Sequence, residues 1–166
     1  MPESKNSESL RHVISVLVED NFGVLQRVAG VFSKRGFNID TLTVGKSEQP
    51  GLSRMMITVT GSEDLVEKIT KQLNKLVETI KVIEVKGEFV ASEICLVKVH
   101  VKDFAARNEL MNFAKVYEAK ILDATPKSMI FEITGDSGRI SNFIGLLLPF
   151  GIKEVARTGI TAMQKG

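Results

Sequence analysis

The signals along this 166-residue chain predict an α+β protein of two ferredoxin-like βαββαβ units. Three observations lead there. Strand-like and helix-like stretches follow the order β-α-β-β-α-β, and the same order then occurs again. The helix-like stretches carry apolar residues at helical spacing, with polar residues between. Glycine, proline and small polar residues punctuate the boundaries.

The elements can be justified in order. "HVISVLVE", from His12, is apolar and β-branched, as a buried strand should be. After Asp20, Asn21 and Gly23, the residues Val24, Leu25, Val28, Ala29, Val31 and Phe32 share one helical arc. Gly36 is placed to end that helix. "NIDTLTVGKSE" alternates as a strand, "QPG" marks a turn, and "SRMMITVTG" is the next strand. Ser62 can cap a second helix, with Glu63 and Asp64 suiting its positive end. Its expected buried stripe is Leu65, Val66, Ile69, Leu73, Leu76 and Val77, and "IKVIEVKG" is the fourth strand. The second round runs "SEICLVKVHV", "ARNELMNFAKVYEAK", "ILDATP", "SMIFEITG", "SGRISNFIGLLLPFG" and "IKEVARTG". Pro149 and Gly151 stop its second helix.

These readings give a flexible tail over residues 1–10, a first domain over 11–86 and a second over 87–166. The two domains share element order but little residue identity, so the repeat is one of architecture. Each is short enough to rely on its neighbour or on oligomerisation.

Composition narrows the function classes. Apolar content of 43% with 25% charged residues is that of a globular chain. A net charge of +2 gives no argument for nucleic acid or an anionic membrane. One cysteine cannot build a disulfide framework. No stretch approaches the ~20 apolar residues of a membrane span, and "MPESKNSES" lacks the apolar core of a secretory signal. A cytoplasmic protein is expected, with no membrane and no nucleic acid among its partners.

No catalytic or metal constellation stands out. "GDSG", Gly135–Gly138, resembles a protease nucleophile string, but it sits between a strand and a helix, where Asp136 or Ser137 serves as an N-cap. Cys95 shares a strand face with Val97, Val99 and Val101, which makes it a core thiol. His12 and His100 are read as surface residues, and neither lies near Cys95 at a metal-ligand spacing. "KRGFNI" partly matches an RNA-recognition signature, but the match stops after Phe37.

One short stretch carries an open question. In "EDNFGVLQRVAG", Glu19–Gly30, a strand turns into a helix. A helix start leaves backbone N–H groups unpaired, to be satisfied by a cap side chain or by an anion. Asp20 and Asn21 could do the first, while Gly23 lets a ligand approach the backbone.

The stretch "SVLVEDNFGVLQRVAGVFSKRGFNIDTLTVG" closely resembles the ACT domain of acetolactate synthase small subunits. The resemblance rests on Glu19 to Leu25, on the Gly36-Phe37-Asn38-Ile39 turn and on Leu42 to Gly45. "LSRMMI", "KQLNKLV" and "EVARTG" extend it over nearly the whole chain. It implies a non-catalytic regulatory subunit that pairs through its ACT domains. It further implies a catalytic large subunit as partner, carrying thiamine diphosphate, magnesium and FAD. This chain would activate that partner and confer feedback inhibition by a branched-chain amino acid, valine above all. The implied effector residues are Asp20, Asn21, Phe22, Gly23, Val24 and Leu25, whose turn takes the carboxylate, with Asn38 and Ile39 of the partner chain closing the site. Asp20 stands where many members have Asn, a departure that bears on its side chain but not on the backbone turn. A free-standing ACT-domain sensor and a ferredoxin-like RNA-binding module are the alternatives.

Overall fold

The computed structural model describes residues 10–166. It contains β1 (Leu10–Glu19), α1 (Val24–Lys34), β2 (Thr41–Lys46), β3 (Leu52–Gly61), α2 (Glu63–Leu73) and β4 (Thr79–Glu84). There follow β5 (Phe89–His100), α3 (Phe104–Val116), β6 (Lys120–Ala124), β7 (Ser128–Gly135), α4 (Ser137–Leu147), a 3₁₀ turn (Leu148–Phe150), β8 (Ile152–Arg157) and β9 (Thr161–Gln164). The βαββαβ order therefore occurs twice, as expected. The expected tail lies outside the described residues except for Leu10, which opens β1. The ninth strand, β9, was not expected.

The chain forms two units. The first comprises residues 10–90 together with 159–166, and the second comprises 91–158. The sequence reading placed 159–166 with the second unit; their contacts place them with the first.

In the first unit the sheet order is β2-β3-β1-β4, and every neighbouring pair is antiparallel. Register pairs Ile14 with Ile57 and Val16 with Met55, which puts these side chains on one face. That face packs on Val24, Val28 and Phe32 of α1 and on Val66, Ile69 and Leu73 of α2. Leu25 and Val77, expected in the buried stripes, are exposed. Leu25 turns outward in the first turn of α1, and Val77 lies beyond the end of α2. Gly36 adopts φ +67, and the N–H groups of Gly36 and Phe37 bond back to Ser33 and Phe32, closing α1 as anticipated. Ser62 caps α2 through the Leu65 N–H.

An antiparallel sheet with helices on one face usually leaves the other face wet. Here Val13, Ser15, Leu17, Met56 and Thr58, which point to the other face, are buried as well. The returning residues account for part of this, since Ala162 and Gln164 lie beside Ser15 and Met56. Gly159, Ile160 and Ala162 are buried, and Gly159 lies directly over β2. A Cβ added there would stand 2.7 Å from Thr43 Oγ1 and 2.9 Å from Thr41 Cβ. The Lys165 N–H donates to Glu88 O at 3.0 Å, and Gln164 Nε2 donates to Lys86 O at 3.3 Å, fastening the segment to the chain after β4.

The second unit repeats the plan, with order β6-β7-β5-β8 and a core of Cys95, Val97, Val99, Leu110, Phe131 and Phe143 among others. Phe131 and Phe143 meet edge to face, with centroids 6.0 Å apart. Glu93, with its side chain only 1% exposed, receives Arg157 Nε at 2.6 Å and the Ser137 hydroxyl. These three residues join β5, β8 and the start of α4.

Gly159→Ala should destabilise the protein by about 1–3 kcal/mol, the usual cost of forcing a methyl into a filled space. Gly45→Ala, where an added Cβ meets nothing within 4 Å, serves as the control. Urea unfolding of both variants checks the difference.

Candidate functional site

The turn from β1 into α1 is the site singled out by the sequence, and its local bonding answers the open question about capping. The Asp20 N–H donates to Gly51 O at 2.8 Å, and Asn21 Nδ2 donates to Glu19 Oε2 at 2.8 Å. Neither side chain caps the helix. The N-cap is Gly23, in the left-handed region at φ 78, and it supplies no side-chain hydrogen bond. The Val24 N–H reaches Asn21 O at 3.4 Å, and the Arg27 N–H bonds Gly23 O at 3.0 Å. Between them, the N–H groups of Leu25 and Gln26 have no backbone acceptor among the described residues. No acidic side chain stands in the first turn. By contrast, Ser62, Asp103 and Asp136 cap α2, α3 and α4.

The turn is open to solvent. Phe22 is fully exposed and Leu25 is about half exposed, while Val24 is buried in the core and offers only its backbone. Arg27 borders the turn: it pairs with Glu78 at 2.6 Å, and its Nη1 would lie 3.2 Å from a Cβ at position 23. Asn38 is exposed, and Ile39 packs against the core. Both follow the far end of α1, whose eleven residues span about 16 Å. Within one chain, α1 therefore separates these two residues from the Asp20–Leu25 turn.

The other sequence candidates fall into place. Asp136 Oδ1 accepts from the Arg139 N–H at 2.8 Å, so "GDSG" is a helix cap. Cys95 is buried, and burial pushes its thiol up, away from nucleophilic character. His100 is exposed at the end of β5. Phe37, the aromatic of "KRGFNI", packs on the core and offers no platform for stacking a base.

His12 corrects the sequence reading: it is not on the surface but 6% exposed, inside β1. Its Nδ1 lies 2.7 Å from Glu84 Oε1 and its Nε2 3.2 Å from Gly61 O. Strand register brings together residues 72 positions apart, a proximity that no local spacing signals. His12, Glu63 and Glu84 present ligand atoms within 4.8 Å of one another, the reach of a metal site. Lys86 already supplies a cation there, 2.7 Å from Glu63 and 3.0 Å from Glu84. The cluster is thus an ion-pair network across α2, β4 and the segment after it.

Residues 14–81 match the family described as the AHAS small subunit-like ACT domain, and residues 92–166 match that described as the small subunit of acetolactate synthase. The chain belongs to the acetolactate synthase small-subunit family. A probable acetolactate synthase small subunit of Methanothermobacter thermautotrophicus is 49% identical over 156 residues, 93% of each chain. The acetolactate synthase small subunit of Mycobacterium bovis is 42% identical over 93% of this chain and 92% of its own. The crystal structure of the acetolactate synthase small subunit from Thermotoga maritima superposes with a TM-score of 0.89 at 39% identity, covering 95% of this chain and 98% of that one. The first unit contains the family's ACT domain, and the exposed turn lies within it. Among the described residues, no helix is long and apolar enough to cross a membrane.

The Lys86 network has a definite pH window. The hydrogen bond from Lys86 holds the Glu63 carboxyl below its ordinary 4.5, and its bonds to Glu63 and then Glu84 hold Lys86 above 10.5. A depressed carboxyl stabilises the fold above its unfolded value and loses that contribution as pH falls; a raised lysine loses its own as pH rises. Lys86→Met should therefore flatten part of the fall in thermal midpoint between about pH 5 and about pH 3. Melting curves of both proteins across that range test it.

Proposed function

We propose that this chain is the regulatory, non-catalytic subunit of an acetolactate synthase. It binds the thiamine-diphosphate-dependent large subunit, on which magnesium and FAD also reside, and raises its activity. It also transmits feedback inhibition by a branched-chain amino acid, valine first, within branched-chain amino-acid synthesis. Family membership supports the enzyme context. The observation that carries the effector site is the start of α1, where N–H groups at a helix N-terminus have no cap side chain and no acidic residue stands in the first helical turn. Such an end attracts a carboxylate through its open donors and its dipole.

In this reading the effector carboxylate meets the backbone of Gly23 to Leu25, and the exposed Phe22 and Leu25 flank its side chain. Asn38 and Ile39 of a second copy close the site, since α1 holds this chain's own pair away. The ammonium group is left to Asp20, exposed at the edge of the turn. Inhibition requires that valine bind two quaternary arrangements unequally, and linkage then requires the large subunit to change valine affinity by the same factor.

Thermal unfolding with a panel of amino acids tests the site. A ligand at 100 times its Kd adds about 2.7 kcal/mol of stability when it binds only the folded form. Valine, leucine or isoleucine should raise the midpoint, and glycine and glutamate should not. Gly23→Asp places a carboxylate among the donors, and Asp tolerates the left-handed backbone better than most residues. It should abolish the valine response, read as the midpoint shift and as inhibition in the reconstituted holoenzyme. A Gly23→Asp protein that still responds to valine sinks the assignment. Failure to activate any large subunit would instead favour a free-standing sensor.

A further inference from the structure

A groove of about 530 Å³ runs between α1 and the chain at the end of α2, and it meets the turn described above at Gln26 and Arg27. Its lining is unusual in charge. Arg27, Lys34, Arg35 and Lys75 border it, with the amides of Gln26 and Gln72, and no carboxylate lines it. Arg27 is balanced by Glu78. No ion pair is formed by Lys34, Arg35 or Lys75 among the described residues. Cations gathered without counter-charge repel one another, so an anion entering the groove relieves that repulsion.

The same groove holds a second anomaly. Gly30 lines it from the middle of α1. Glycine is a poor helix residue, and its backbone here is not in the left-handed region. A Cβ built at Gly30 meets nothing within 4 Å, so no neighbour in the chain requires the missing side chain. What its absence does provide is a bare stretch of floor beside the bordering cations.

We propose that this groove binds an oligophosphate, a ligand carrying two or three linked phosphate groups, free or as part of a nucleotide. Linked phosphates supply several negative charges within a few ångströms, to set against the cations without an ion pair in the lining. The Arg35 guanidinium offers paired donors to phosphate oxygens, and the lysines act as point charges. Val31 and Leu76 give the groove an apolar margin for any organic portion. The proposal does not depend on the amino-acid site at the start of α1.

Titration calorimetry of the full chain with sodium triphosphate, at low and at high salt, is the test. The expected result is saturable binding, one per chain, weakened by salt. Gly30→Glu is the decisive variant: it fills the bare floor with a carboxylate, improves helix propensity, and should melt no lower than the parent. It should reduce triphosphate affinity at least tenfold, as should Lys75→Gln, while Gly30→Ala keeps binding within about twofold. ATP and triphosphate in parallel identify the source: equal affinity marks a phosphate-only site, and tighter ATP a nucleotide. The proposal is overturned if triphosphate binding is undetectable, if Gly30→Glu leaves it unchanged, or if only an acidic peptide such as hexaglutamate binds.

Discussion

The first unit depends on β1 being buried on both faces. Ile14, Val16 and Val18 pack under the two helices, while Val13, Ser15 and Leu17 point the other way and are buried too. Part of the second burial comes from residues 159–164, which return to lie beside Thr41 and Thr43 and beside Ser15 and Met56. One consequence is that the helix-bearing unit is not complete at the end of β4. Its sheet keeps one face partly uncovered until synthesis has passed through the whole second unit. Gly159 is the residue on which this closure turns, because its contact with β2 leaves no space for a side chain.

The turn into α1 stands at the edge of that buried sheet and is bonded differently. Asp20 is tied to Gly51, Arg27 to Glu78, and the Glu19 N–H to Glu78 O, so the ends of the turn are held by neighbouring elements. Between those ties the helix start is neither capped nor acidic. Three other helices show that this fold caps with Ser or Asp at ordinary geometry. A left-handed Gly23 gives up the capping side chain and leaves the donors facing outward, which is the arrangement an external carboxylate would complete.

Polar groups inside the units follow a different rule. His12, Glu84, Glu63 and Lys86 form a chain of bonded charges at one place, and Glu93, Arg157 and Ser137 another. The buried members, His12 and Glu93, each have a partner, as a low-dielectric interior requires, while Glu63 and Lys86 lie at the surface. These networks tie strands to helix ends.

Much of this was legible in the residues alone. The helical arc of Val24, Val28 and Phe32, the Ser62 cap, the Gly36 stop, the buried Cys95 and both βαββαβ runs follow from local periodicity and local bonding, which neighbouring residues express directly. The turn at Gly23 was visible as a candidate, but the choice between a cap and an open donor set was not, because Asp20 and Asn21 were equally placed in sequence to cap. His12 was misplaced for a related reason: its partners are 49 and 72 residues away, and only strand register brings them to it. The same holds for Ile160 and Ala162, whose short apolar signal gives no direction and which are buried only because the chain comes back. By itself the sequence determined the elements, their order and the family, since those are written at short range. The tertiary structure alone decided which faces are dry, which charges are paired and which helix start stays open, since those depend on contacts between residues far apart in the chain.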